Sequence, residues 1–264
     1  MRNFAFLLII LLSVASYSDT IPRLLKVIKF DDELKNHKFI ILKPFAKDKS
    51  SPYTSPAFLE QVIRFCLDNK SPDAKIIVAE GSDGVPTEDM FVELGYKKLV
   101  EHYNLGAVDL NNAELEEIRS PLFTKFESIS YPKLLKDSFV ISLPPLGEDK
   151  EMGIISSLSN MVGAFPASKY KGFFSKRKEK LRNWPFAYSI HDISLCKMPD
   201  FALIDASAKG FIIAGKPLDA DKQAVRILGK EPKNVAFLRF IEESQKTIAL
   251  REAKQEEPMP VVQE

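Results

Sequence analysis

Short apolar runs closed by proline or glycine recur along this chain, each separated from the next by a stretch with helical periodicity. Lys38-Phe39-Ile40-Ile41-Leu42-Lys43 ends at Pro44, Lys75-Ile76-Ile77-Val78-Ala79-Glu80 runs into Gly81, and Ser138-Phe139-Val140-Ile141-Ser142-Leu143 stops at Pro144-Pro145. Ala107 to Leu110, Phe201 to Asp205 and Phe211 to Ala214 are of the same kind. Runs this apolar suit strands covered on both faces, as in parallel sheets. Between them, Ile21, Leu24, Leu25 and Ile28 share one helical face, and Phe58, Leu59, Val62, Ile63 and Cys66 share another. Ser55 followed by Pro56 marks one helix start, and Thr87 before Glu88 and Asp89 marks a second. Strands joined through helices give layered α/β architectures. The sequence therefore predicts one α/β domain over residues 1–250, a mainly parallel sheet with helices on both faces.

Both ends of the chain are read separately. Phe4 to Val14 is apolar, follows a short basic start and precedes Ser16, Tyr17 and Ser18. Residues 1–18 are expected to supply the first strand, which places the protein in the cytoplasm; the alternative is a secretory signal and a secreted protein. The segment is too short for a comfortable membrane span, and none is expected elsewhere. Residues 251–264 are polar, contain Pro258 and Pro260 and lack a core-forming pattern, so a disordered tail is expected there.

Charge and cysteine content exclude several function classes. Lys+Arg 37 against Asp+Glu 36 gives a net charge of +1, so no global field attracts nucleic acid or an anionic membrane. Positive charge is concentrated locally in a basic loop at 168–183, which carries Lys169, Lys171, Lys176, Arg177, Lys178, Lys180 and Arg182. Tyr170, Phe173, Phe174 and Trp184 interleave with it, a superficial match to single-strand nucleic-acid binders. With no recognition module, it reads instead as a solvated, mobile loop, and nucleic acid is not an expected partner. Cys66 and Cys196 are the only cysteines and lie far apart. They cannot supply a four-thiolate metal site, so no iron–sulphur cluster within one chain, no other metal and no cofactor is expected.

No dinucleotide fingerprint, P-loop, H-E-x-x-H or G-x-S-x-G occurs. Ligand sites of open α/β sheets lie beyond the carboxyl ends of the strands, and that rule gathers Lys43, Glu80, Ser82, Asp109 and Asp205. Lys43 is the expected anion binder. His191, followed by Asp192, is the acid/base candidate by residue type, although neighbours on a helix point in different directions.

An ordered series of short motifs over residues 38–243 resembles the prokaryotic family called domain of unknown function 362. Lys43-Pro44-Phe45 and Thr54-Ser55-Pro56 are similar to its Lys-Pro-Asn and Thr-His-Pro segments, with asparagine and histidine replaced. Glu80-Gly81-Ser82, Asp109-Leu110-Asn111, Leu143-Pro144-Pro145-Leu146 and Pro199 to Asp205 follow in the family's order. Ser159-Asn160 stands where the family has Lys-Asn, and Gly147-Glu148-Asp149 replaces a Lys-Thr-His. Many members carry an appended ferredoxin-like cysteine module, which this chain lacks. The resemblance implies an uncharacterised protein and adds Asn160 to the expected pocket of Lys43, Glu80, Ser82 and Asp205. Three functions stay open: a ligand-binding or divergent, inactive member; an enzyme on a small anionic metabolite; an adaptor docking an acidic partner or nucleic acid through the basic loop. The oligomeric state is not legible.

Overall fold

The computed structural model describes residues 8–11 and 17–256. In chain order, β1 (Leu8–Leu11), α1 (Tyr17–Val27) and α2 (Phe30–Leu34) lead into β2 (Phe39–Pro44), α3 (Pro56–Asn69) and β3 (Lys75–Glu80). Then come α4 (Thr87–Glu93), α5 (Tyr96–His102), β4 (Gly106–Asp109), β5 (Leu115–Ile118), β6 (Ile129–Pro132), α6 (Lys133–Lys136) and β7 (Phe139–Leu143). The second half holds β8 (Gly147–Asp149), β9 (Gly153–Ile155), α7 (Ala167–Tyr170), α8 (Phe186–Cys196), β10 (Phe201–Ala206), β11 (Phe211–Gly215), α9 (Pro217–Ile227) and α10 (Ala236–Glu256). Short 3-10 turns include Ser159–Ala164 and Glu179–Leu181.

Seven strands form the main sheet in the order β1-β11-β10-β7-β2-β3-β4. Pairing is parallel from β10 through β4 and antiparallel at β10–β11 and β11–β1. The chain builds β2, β3 and β4 outward on one side, then returns to lay β7 and β10 on the other flank of β2. The strand order therefore reverses between β2 and β7, where open α/β sheets leave a crevice. Their register sets Lys43 beside Ser142 and Pro44 beside Leu143.

Side-chain alternation explains why both faces are covered. Ile40, Leu42, Ile76, Val78, Ile141 and Leu203 pack with Leu24, Leu25, Phe58, Val62 and Tyr96 from α1, α3 and α5. Ile41 and Val140 face the opposite way, onto Met161, Phe165, Ile190, Ile193, Leu238 and Ile241 of the 3-10 turn, α8 and α10. The expected helical faces are buried as read, and Ser55 caps α3 by accepting from the Phe58 amide at 3.1 Å.

Four local expectations are corrected. The N-terminal strand sits at the sheet edge, antiparallel to β11, rather than within a parallel core; the rest of 1–18 bearing on the strand-or-signal question lies mostly outside the described residues. Thr87 caps no helix. Its hydroxyl accepts from the Ser82 amide and donates to Asp109 at 2.7 Å, tying two strand ends together. The segment from 251 does not leave the fold as coil, because α10 continues to Glu256; a solvent-exposed helix needs good helix formers, not a core pattern. Residues 257–264 lie outside the described ones. Finally, 168–183 is anchored structure, as the site geometry shows.

Candidate functional site

The crevice between β2 and β7 is filled by one buried polar cluster. Lys43, the penultimate residue of β2, is wholly inaccessible, and its ammonium donates to Glu80 Oε1 at 2.9 Å and Oε2 at 3.0 Å. It also reaches the Asn160 carbonyl at 2.8 Å and its Oδ1 at 3.0 Å. The Asn160 amide donates in turn to the Lys43 carbonyl at 3.0 Å and to Ser142 Oγ at 2.9 Å, spanning β2 and β7. Burial pushes the Lys43 ammonium below its ordinary value, and the charge of Glu80 works against that shift. The 3-10 turn that presents Asn160 approaches so closely that a Cβ on Gly163 would lie 1.9 Å from Glu80 Oε1 and 2.6 Å from Lys43 Nζ. Only glycine fits there.

A strap formed by residues 171–184 closes the cluster from outside. Lys178 is buried, its ammonium donating to the Gly81 carbonyl at 2.7 Å and towards that of Gly163 at 3.4 Å. No carboxylate lies within ion-pair distance of it among the described residues, and burial pushes its pKa down to about 8. The Lys178 amide donates to Asp83 Oδ1 at 2.7 Å, and Arg182 grips Asp83 at 2.6 Å and Glu151 at 2.6 and 2.8 Å. Lys47 binds Asp149 at 2.8 Å and Glu151 at 3.0 Å from the opposite side. Beneath the strap, Glu80, Asn160, Gly163, Lys178 and Phe186 line a cavity of about 10 Å³, room for about one water. Phe186 also lines an open groove of about 700 Å³ between the β8–β9 hairpin, the start of α8 and residues 229–237.

Residues 40–225 match the family model "Domain of unknown function (DUF362)". The chain belongs to this family. No curated protein gives a significant sequence match. Among solved structures, the lactate racemase apoprotein from Thermoanaerobacterium thermosaccharolyticum is similar in fold, with a TM-score of 0.55 and 16% identity. The match covers 79% of this chain and 54% of that one, so the chain spans about half the racemase's length.

Against this frame, the DUF362 residues expected from sequence separate into two groups. Lys43, Glu80 and Asn160 converge. Ser82 does not join them: its hydroxyl donates to the Ala46 carbonyl at 2.7 Å and serves the turn. Asp205 lies two strands away on β10, about 10 Å across the sheet, where its carboxylate accepts from the Ser207 amide. Asp109 is held by Asn111 and Asn112 of its own turn and by the Thr87 hydroxyl from the start of α4. His191 is a correction: it is buried, and it contacts Asp192 at 2.7 Å and Ser244 at 2.8 Å, joining α8 to α10. Although neighbours on a helix point in different directions, His191 and Asp192 meet because the segment between β5 and β6 folds back on them; Asp192 accepts from the amides of Thr124, Lys125 and Phe126.

Sequence reasoning missed Lys47, Asp83, Glu151, Lys178 and Arg182. Lysine and arginine are rarely buried, so a basic run reads as solvated. The one available signal was Leu181 beside Arg182, an apolar anchor inside the charged run.

The strap should respond to acid. Burial raises the Glu151 carboxyl, but hydrogen bonds and charge from Arg182 and Lys47 outweigh it and hold the pKa down to about 2. A carboxyl depressed in the folded state stabilises above its unfolded value of about 4.3, and that contribution is lost as pH falls towards 2. Trp184, the single tryptophan, sits at the strap's end and reports on it. Its fluorescence should change between pH 4.5 and 2 in wild type, and that change should be lost in Glu151→Gln, where the side chain does not titrate. Identical profiles would show that Glu151 does not hold the strap.

Proposed function

We propose that the chain binds a small anionic ligand at the carboxyl ends of β2, β3 and β7, in a site that the 171–184 strap closes. The observation carrying this reading is Lys178. Its buried ammonium is held by backbone carbonyls alone, whereas Lys43 pairs directly with Glu80 and Arg182 with Asp83 and Glu151, so the cluster is balanced in total charge but Lys178 has no carboxylate directly against it among the described residues. Structural cores rarely keep a cation without a carboxylate in direct contact, whereas binding sites do. The place also fits, because the strand order reverses here. With room for about one water, the closed site admits a ligand only when the strap lifts or Phe186 swings towards the groove that it also borders.

Lys43 serves this site as a fixed internal pair with Glu80 rather than as the anion's contact; Lys178 takes that role, with Asn160 and Glu80 shaping the floor. The test is a thermal-shift panel of inorganic phosphate and small mono- and dicarboxylates on wild type and Lys178→Met. Methionine keeps the buried stem and removes the charge. A ligand at a hundred times its Kd stabilises by about 2.7 kcal/mol, a readable rise in Tm. The expected result is a rise in wild type that is lost in Lys178→Met. An equal rise in both, or none in wild type with any anion, rejects the site.

A further inference from the structure

We infer that the outer tip of the strap is a docking element for anionic lipid bilayers. Phe173 and Phe174 are 94% and 97% exposed, adjacent, and packed edge to face on each other at 4.7 Å. Large apolar side chains this exposed are seldom left paired at a protrusion unless something covers them. The tip is not a slack loop. The Gly172 amide donates to the Arg177 carbonyl at 3.1 Å, Lys180 ties back to the Lys169 carbonyl at 2.8 Å, and Lys178 roots the base in the core. Two phenylalanines are thus carried outward on a short loop with a fixed stem.

Charge selects the partner. Lys169, Lys171, Lys176 and Lys180 are exposed around the tip, as is Arg177, whose guanidinium turns to Glu151 at 3.4 Å; Glu179 is the only acid between residues 169 and 182. Glu179 is moreover engaged by Ser175. Lysines act as point charges suited to a diffuse anionic surface, whereas recognition of a particular phosphate favours the arginine fork. Single-strand nucleic-acid binders stack bases along a charged groove, whereas Phe173 and Phe174 stand almost fully exposed. An aromatic wedge ringed by lysines matches a bilayer: apolar tips enter the acyl boundary while ammonium groups meet the headgroups. The near-zero net charge of the chain leaves orientation to this local ring.

The test is co-sedimentation of the full chain with vesicles of phosphatidylcholine, alone or mixed with phosphatidylglycerol. Wild type should pellet with the mixed vesicles and lose binding as salt rises. Replacing Phe173 and Phe174 by serine should weaken binding by about tenfold or more per ring while leaving the melting temperature unchanged, because neither ring packs on the core. Lys171→Gln with Lys176→Gln should weaken it about fivefold per charge and flatten the salt dependence. As a second measurement, Phe174→Trp in a Trp184→Phe background should show a blue-shifted emission with anionic vesicles only. Failure of wild type to pellet, undiminished binding by the serine variant, or a new tryptophan that stays in water overturns the inference. Binding instead to an oligonucleotide but not to vesicles would assign the tip to nucleic acid and overturn it equally. None of these outcomes depends on an anion occupying the cavity, so this inference and the ligand site fail separately.

Discussion

Glu80→Ala should cost the protein about 3–5 kcal/mol, a fall of roughly 10 °C in Tm for a chain of this size. The substitution leaves the Lys43 ammonium buried with only Asn160 to receive its protons, and strips the Gly81 amide of its 2.7 Å acceptor. Removing both charges is a different experiment. Lys43→Met with Glu80→Gln keeps the stem of one residue and an amide oxygen on the other, so much of the lost stability should return. Thermal or denaturant melts of Lys43→Met, Glu80→Gln and the double variant form a coupling cycle. If the double variant loses the sum of the single losses, Lys43 and Glu80 act independently and the cluster is not a unit.

Asp192→Ala should be comparably damaging, with a loss of about 4 kcal/mol or more. This carboxylate, fully buried, receives the amides of Thr124 at 2.9 Å, Lys125 at 2.8 Å and Phe126 at 3.0 Å, besides His191. Those bonds hold its pKa below the ordinary carboxylate value despite the burial that pushes the other way. Removing it leaves several donors without an acceptor and frees residues 124–126 from α8. Amide hydrogen exchange at Lys125 and Phe126 should accelerate, while the strap at 171–184 keeps its protection. Acceleration spread evenly over the protein would show global unfolding rather than release of that segment.

The sheet was legible in the sequence because its signal is dense and local. Ile40-Ile41-Leu42, Ile76-Ile77-Val78 and Val140-Ile141 announce strands buried on both faces, and Pro44, Gly81 and Pro144 announce where they stop. Strand direction at the margin was not legible, since β10 and β11 turn within the tight Ser207–Lys209 3-10 turn and no hydrophobic pattern distinguishes that from a crossover. At the site, Lys43 and Glu80 were found through the rule that ligands gather at strand ends, and Asn160 through family resemblance. Asp205 obeys the same rule yet sits two strands from the reversal point, which a sequence without a strand order cannot locate. Lys178 and Arg182 were missed for a physical reason: their burial depends on Asp83 and Glu151, carboxylates distant in sequence that only the folded chain brings near.

Gly163 carries a consequence for how this cluster is inherited. Its missing side chain is what allows the 3-10 turn to lie against both members of the Lys43–Glu80 pair. A single methyl group there cannot coexist with the two charged groups in their present places. Lysine at the end of β2, glutamate at the end of β3 and glycine in the turn thus form one unit spread over three distant segments. Among relatives, a branched or even an alanine side chain at the glycine position should accompany replacement of the lysine or the glutamate. A side chain at the glycine position should therefore mark, from sequence alone, relatives that have abandoned this buried pair.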